Sequence, residues 1–360
     1  MSHNNSIDQV SRQILEFIQS CQDNDIRFNE LALALFRAQI ERIPAYRKLC
    51  EHRGAHGLSP HNWTQIPAVP TTAFKDFELT SLQPGERSHV FYSSGTTEQR
   101  PSRHFHNVES LAVYEASLLQ WFTTKFLKAA PANLRFISLT PPPALAPNSS
   151  LVHMFGTIAK THKTVFTGNV GDDRSWTVNF EKTTSLLEMF CNQNEPVAIA
   201  GTAFSFVHLL DHLTETKKMV KLPIGSRMME TGGYKGRSRI IPKTELHALI
   251  SKHLGVADSQ IISEYGMSEL SSQAYDNPDR VFRFPPWSRV QIISPETNKE
   301  VGIGETGLVR IYDLANVYSV MAIQTEDLAI RRNDGFELIG RANEAEPRGC
   351  SLMATKGSLQ

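Results

Sequence analysis

Apolar side chains at Ile7, Val10, Ile14, Phe17 and Ile18 recur at helical spacing behind Ser6, so the pattern predicts an N-capped amphipathic helix over residues 6–21. A second helix is expected from about residue 29, with Leu31, Leu35, Ala38 and Ile40 on its apolar side; Pro44 either limits it or starts the next turn. Residues 66–75 are punctuated by Pro67 and Pro70 and read as extended chain entering a helical turn. The short run Val90, Phe91, Tyr92 reads as a strand. A long amphipathic helix follows Asn107 and runs to about residue 127.

From there the texture alternates. Strands are expected at residues 134–139, 197–200, 227–230 and 260–262, and helices at 149–160, 181–191, from about 204, and behind Pro242. Apolar strands separated by helices indicate an α/β fold with a mostly parallel sheet flanked by helices. Ligands gather at the carboxyl ends of such strands. Three polar or glycine-rich turns are expected there, at Gly201-Thr202, at residues 231–234 and at residues 263–269. Beyond about residue 277 short strands joined by turns, at 290–293, 307–311 and around Asn333-Asp334-Gly335, predict a small antiparallel β subdomain. The expected division is an α/β core with a helical N-terminus over 1–280, the antiparallel subdomain over 281–340 and a polar tail over 341–360.

Composition narrows the function. The 360 residues carry 37 Lys+Arg against 37 Asp+Glu, so no global basic field argues for a nucleic-acid or membrane partner. No apolar run approaches the length of a bilayer span, and no signal peptide is visible. Cys21, Cys50, Cys191 and Cys350 are widely spaced without a Cys-x-x-Cys pair, which argues against a zinc knuckle or disulfide framework and fits a reducing cytoplasm. A small-molecule or protein substrate is therefore expected.

The chemistry begins at Ser93-Ser94-Gly95-Thr96-Thr97, four hydroxyls around a glycine directly after the 90–92 strand. A glycine lets the backbone approach an anion, and exposed N–H groups with Ser and Thr hydroxyls can cradle phosphate. The same residues also make ordinary turns. No Gly-Lys-Ser/Thr follows, so the loop is not a Walker-A motif.

Taken with Gly232-Gly233, Tyr265-Gly266-Met267-Ser268-Glu269, Thr325-Glu326-Asp327-Leu328 and Gly340-Arg341, the loop resembles the ordered core motifs of the adenylate-forming superfamily, which includes acyl-CoA synthetases and luciferases. Within it the chain is most similar to the bacterial luminescence type of acyl-protein synthetase (LuxE-like), through Pro101-Ser102-Arg103 closing the loop, the helical N-terminus, the length and Arg348-Gly349-Cys350-Ser351-Leu352. The resemblance implies the N-terminal-domain fold of that superfamily. It also implies activation of a carboxylic acid, in the luminescence proteins a fatty acid, by ATP and Mg²⁺.

In such a reaction a carboxylate must approach a polyphosphate. Each unit-charge pair at about 4 Å repels by roughly 1 kcal/mol in water and about 4 kcal/mol at an effective dielectric of 20. Donors, a metal ion and cations must offset this.

By resemblance, Ser93, Ser94, Thr96 and Thr97 would cradle the β- and γ-phosphates, with Gly95 admitting the backbone and Arg103 closing the loop. Gly232 and Gly233 would line the adenine pocket, and Tyr265, followed by Gly266, would lie against the adenine. Ser268 would contact the α-phosphate and Glu269 would hold Mg²⁺. Asp327 would accept from the ribose hydroxyls, and Arg341 would reach ribose or phosphate. Each also has a plain structural reading: core aromatic, helix-start carboxylate, turn residue, surface charge.

Gly201, Thr202 and Phe204, with Phe206 and His208, are candidates for the acyl pocket. The mobile C-terminal domain of typical members, with its late catalytic lysine, is expected to be largely absent, since nineteen residues follow Arg341. Lys75, Arg103 and Lys235 are the candidate replacement cations. Cys350 matches the place of the acyl-accepting cysteine, with an unreactive tail cysteine as the alternative. Delivery to a reductase partner is implied. A ligase serving coenzyme A or a carrier protein, and an inactive nucleotide-binding scaffold, remain open.

Overall fold

The computed structural model describes residues 6–54, 58–93, 100–172, 175–232, 238–276 and 278–341. In chain order the strands among them are β1 (Val69–Pro70), β2 (His89–Tyr92), β3 (Arg103–His106), β4 (Arg135–Ser138), β5 (Thr164–Phe166), β6 (Gly168–Val170), β7 (Trp176–Val178), β8 (Val197–Thr202), β9 (Arg227–Thr231), β10 (Ile261–Tyr265), β11 (Ala274–Tyr275), β12 (Ser288–Ile293), β13 (Thr306–Asp313), β14 (Ala322–Arg332) and β15 (Gly335–Arg341).

Helix starts follow local chemistry. Asn24, Asn107, Ser149, Asn179 and Thr202 each accept a hydrogen bond from the backbone N–H three residues on, as Ser6 does from Gln9, satisfying donors that the first turn leaves open. The second helix is Asp25–Arg42, starting earlier than the apolar pattern suggests because Asn24 caps it. Pro44 starts the next turn, opening the Pro44–His52 helix, where a missing N–H is harmless.

One sheet has the order β11-β10-β9-β8-β4-β5, parallel except for β11. Its residues alternate between two cores. Phe136, Ala198, Ala200 and Met229 face a large cluster that includes the Val108–Lys125 helix, while Ile137, Ile199, Met228 and Ile261 face a smaller one with the Lys243–Leu254 helix. Both faces are thus buried, as in parallel sheets generally. β10 runs on through Tyr265 and β8 through Thr202, so Ser263, Glu264, Tyr265, Gly201 and Thr202, expected in turns, are strand residues.

The second sheet runs β1-β14-β13-β12, with β15 on the far half of β14. β1 is parallel to β14, Val69 opposite Ile323, and the other pairs are antiparallel. Gln39 of the second helix donates from its amide to the carbonyls of Asn316 (2.8 Å), Val317 (3.2 Å) and Ser319, and accepts from the Met321 N–H (3.2 Å). The same cluster contains Ile7 and Phe336, so one core joins the N-terminal helices to this sheet. Buried Asp313 accepts from the backbone N–H groups of Ser271 (3.0 Å) and Ser272 (2.8 Å), and from the hydroxyls of Ser272 (2.7 Å) and Ser288 (3.0 Å), fastening the loop after β10 to this second sheet.

Candidate active site

The site lies where the carboxyl end of β10 meets the far half of β14. Tyr265, the last residue of β10, donates its hydroxyl to Asp327 Oδ2 at 2.7 Å. Its ring is packed by Phe282, Phe284 and Phe336 at centroid distances of 6.0, 6.1 and 5.3 Å. Burial and the neighbouring Asp327 carboxylate push the phenol pKa well above its usual value, so it stays a donor. Asp327 is held from behind: its N–H donates to Thr325 Oγ1 (3.1 Å), whose hydroxyl donates to the Val309 carbonyl (2.9 Å). Arg341 is the direct cross-strand partner of Asp327, with Nε 3.5 Å from Oδ1 and the side chain largely exposed. Gly340, at φ 151°, supplies the backbone conformation just before it.

Beyond Tyr265 the chain turns sharply. A Cβ on Gly266 would lie 2.4 Å from Glu264 Oε1, so the glycine leaves room for that carboxylate where it stands. Ser268 Oγ donates to Glu269 Oε2 at 3.0 Å, and both residues are buried. The Glu269 carbonyl accepts from Asn316 Nδ2 (2.8 Å). His104 Nδ1 lies 2.9 Å from the Ser268 carbonyl; a carbonyl can only accept, so Nδ1 carries the proton. Burial lowers the His104 pKa to about 4.

His104 belongs to β3, the return strand of the hairpin whose loop opens at Ser93. The base of that loop is clamped: Ser93 N–H donates to the Ser102 carbonyl (3.2 Å), and Ser102 N–H donates to Ser93 Oγ (2.9 Å). The hairpin is fixed from outside by Asn148, whose carbonyl accepts from Tyr92 N–H (2.9 Å) and whose amide donates to the Val90 carbonyl (2.9 Å). One histidine therefore connects the hydroxyl-rich hairpin to the loop carrying Ser268 and Glu269.

Of the expected site residues, Tyr265, Gly266, Ser268, Glu269, Asp327 and Arg341 come together, and Ser93 is joined to them through β3. Gly232 follows β9 with φ 68°, a left-handed position suited to glycine. Arg103 lies 3.8 Å from Glu78, which also pairs with Arg87 at 2.8 Å. Lys75 sits in the short Ala73–Asp76 helix, where Phe74 packs edge-on to His104 at 6.5 Å. Gly201 faces Leu139, its missing Cβ 2.8 Å from Leu139 Cβ. Thr202 Oγ1 accepts from Ser205 N–H (3.2 Å) as a helix cap, and Phe204 is buried with its ring 6.4 Å from His208. Ser94, Gly95, Thr96, Thr97, Gly233, Lys235 and Cys350 lie outside the described residues. Among the described residues no group of three or more His, Cys, Asp or Glu is placed to hold a metal ion, and no helix is long and apolar enough to cross a membrane.

Sequence reasoning missed His104, Asp313 and Glu264. The signal for Asp313 and His104 was weak, since the contacts that tie each of them to the loop after β10 span more than forty residues. Glu264 was readable only as a polar residue of an expected turn.

Solved structures of a 2-hydroxyisobutyryl-CoA ligase share the fold. The open conformation with 2-HIB-AMP and CoA superposes with a TM-score of 0.63 at 14% identity, covering 89% of this chain and 71% of that one. The thioesterification state gives 0.62 at 14% identity, over 95% and 69%. The long-chain-fatty-acid–luciferin-component ligase of Aliivibrio fischeri is 23% identical over 92% of this chain and 88% of its own length. That of Vibrio harveyi is 22% identical over 86% and 82%. The family model described as acyl-protein synthetase, LuxE, matches residues 4–357. The chain is thus a ligase with the adenylate-forming fold, and it belongs to the LuxE acyl-protein synthetase family.

Proposed function

We propose that this protein activates a carboxylic acid with ATP and then carries the acyl group on its own Cys350. The names of its relatives favour a fatty acid. The observation that carries the reading is the Tyr265–Asp327–Arg341 arrangement: an aromatic ring and a cation at the ends of β10 and β15, joined by a carboxylate from the middle of β14. The Tyr265 ring lies against adenine, and Asp327 accepts from the ribose hydroxyls, a carboxylate being an acceptor with room for more than one donor. Arg341 neutralises charge beside it. The Ser93–Thr97 loop and Gly232-Gly233 hold the polyphosphate and line the base, and Ser268 donates toward the α-phosphate.

Glu269 fits a Mg²⁺ ion, because that ion takes one or two protein carboxylates with phosphate oxygens and water rather than a full protein cage. When bound, it screens the polyphosphate against the incoming carboxylate. Lys75 or Lys235 supplies the cation near the transferring phosphate.

The acid's carboxylate oxygen bonds to the α-phosphorus as the bond to the β-phosphate oxygen breaks, releasing pyrophosphate. The Cys350 thiolate then adds to the acyl carbonyl, and the bond to AMP breaks to leave a thioester for an acyl-receiving reductase.

The test is pyrophosphate exchange and hydroxylamine-labile acyl label on wild type and Cys350→Ser. Exchange in both with label only on wild type is expected. Exchange without label on wild type points instead to delivery to coenzyme A or a carrier protein. Label surviving in Cys350→Ser removes Cys350 as acceptor. No exchange with any acid, alone or with a partner, supports a nucleotide-binding scaffold.

A further inference from the structure

The parallel sheet carries a polar row at the carboxyl end of its strands that the nucleotide site does not use. Register places Thr202 opposite Thr231, Thr231 opposite Glu264, and Glu264 opposite Tyr275, one step across each of four neighbouring strands. Directly opposed residues share a face. It is the face on which Ala200 and Met229 lie two residues earlier, under the Val108–Lys125 helix. Apolar below and polar at the rim, this face ends beside Gly266.

The row is not closed upon itself. Glu264 is 6% exposed, and among the described residues its carboxylate receives one hydrogen bond, from the Thr231 hydroxyl, and no ion pair. Tyr275, 1% exposed, has a hydroxyl with no hydrogen-bond partner among the described residues. Gln273 Oε1 is equally buried and unpartnered. Gln273 Cγ would stand 3.5 Å, and Glu264 Oε1 2.4 Å, from a Cβ on Gly266, so both border the gap that this glycine leaves. Buried polar atoms are ordinarily paired, and two left open beside a carboxylate that receives a single hydrogen bond, next to a binding motif, indicate a missing partner. That partner must donate at least one hydrogen bond, since Gln273 Oε1 can only accept.

We infer that the acid activated here carries a hydrogen-bond-donating substituent, a hydroxyl or an ammonium group, close to its carboxyl end, bound by Glu264, Tyr275 and Gln273. This rests on the acid-activating reading above and specifies its substrate. An unsubstituted alkyl chain would cover these polar atoms without pairing them, whereas sites built to hydrogen-bond a substituent strongly reject the analogue that lacks it.

The experiment compares matched acids of equal length, unsubstituted, 3-hydroxy and 3-amino, with wild type, Glu264→Gln and Tyr275→Phe. Pyrophosphate exchange is read together with the melting temperature shift that each acid gives in the presence of a non-hydrolysable ATP analogue. Wild type is expected to favour a substituted acid by roughly a hundredfold in kcat/KM. Tyr275→Phe should shrink that preference by about tenfold. Glu264→Gln should spare a hydroxy acid and lose an amino acid, which tells the two substituents apart. Equal or better use of the unsubstituted acid by wild type overturns the inference, as does a preference that neither variant changes. If no acid supports exchange but substituted acids selectively raise the melting temperature, the activation reading falls and the pocket assignment stands. If no substituted acid raises it above the unsubstituted one and exchange is also absent, the pocket assignment falls as well.

Discussion

Glu230 and Glu264 are buried carboxylates on adjacent strands, one residue out of step and therefore on opposite faces of the same sheet. Glu230 is fully served. Lys243 Nζ lies 3.2 Å from Oε1 and His247 Nε2 3.3 Å. Arg280 can only donate to His247 Nδ1, so the ring's other nitrogen carries the proton and donates to Glu230. Burial pushes the Glu230 carboxyl up, but Lys243 and His247 outweigh it and hold the pKa at about 2. Glu264 has the same burial with one hydroxyl for company, and burial leaves its pKa raised to about 7. The first carboxylate is finished by the fold and the second waits for something. That difference separates a structural acid from a binding one where composition and burial do not.

The largest expected effect is on stability. Glu230→Ala strands Lys243 and His247 and should remove about 3 kcal/mol of unfolding free energy, the low end of the usual range because the Lys243 side chain is 39% exposed. Glu264→Gln replaces a carboxyl whose raised pKa costs stability near pH 7, so it should not lower the unfolding free energy there. Urea unfolding of the two variants reads the contrast, and a larger loss at Glu264 would break it.

Glu264 and His104 respond oppositely to pH. The stability that Glu264 contributes is fully present below its unfolded pKa of 4.5 and is lost as pH rises through about 7. For His104, whose folded pKa is depressed by burial, stability is present above 6.5 and is lost as pH falls through about 4. Each amounts to about 3 kcal/mol at 1.36 kcal/mol per unit, and they offset one another between about pH 4.5 and 6.5. Glu264→Gln should unmask the histidine slope, giving stability that climbs with pH from 4 to 6.5. An unchanged profile in that variant would show that Glu264 does not titrate in this window.

Smaller effects fall on the nucleotide. Asp327→Asn should raise KM for ATP about tenfold, the worth of a charged hydrogen bond, with unfolding almost unchanged. Glu230→Gln should leave KM alone. The smallest effect is expected at His104: His104→Leu should slow exchange about fivefold through a misplaced Ser268, and His104→Asn, which keeps a donor near Nδ1, should recover most of it. Equal rates in both variants would make the histidine mere packing.

What the sequence showed depended on whether the cause was local. Caps such as Asn107 and Ser149 lie within three residues of the groups they satisfy, so helix starts were readable. Tyr265, Glu269, Asp327 and Arg341 were legible as an ordered series of motifs. β5, β6, β7 and β11 span two or three residues each, too short for any periodicity. β1 was read as extended chain, but its pairing with β14 joins residues more than 250 apart, which no local pattern encodes. Arg103 looked like a loop cation because its partner, Glu78, lies twenty-five residues earlier, ahead of the hairpin. Glu264 sat in what read as a turn, and its isolation emerges only when four strands lie side by side.

The bridge from Asp327 to Arg341 has one more consequence. Arg341 ends β15, and Cys350 follows it by nine residues, 350 minus 341, a leash of roughly 30 Å at full extension. On the proposed reading, the leash is rooted at the carboxylate that grips the ribose. A thiol so tethered meets the site at an effective concentration on the order of millimolar, whatever the dilution of the protein. Nucleotide capture and acyl capture then share one anchor, and the enzyme behaves as its own carrier, charged once per ATP and emptied only by a visitor.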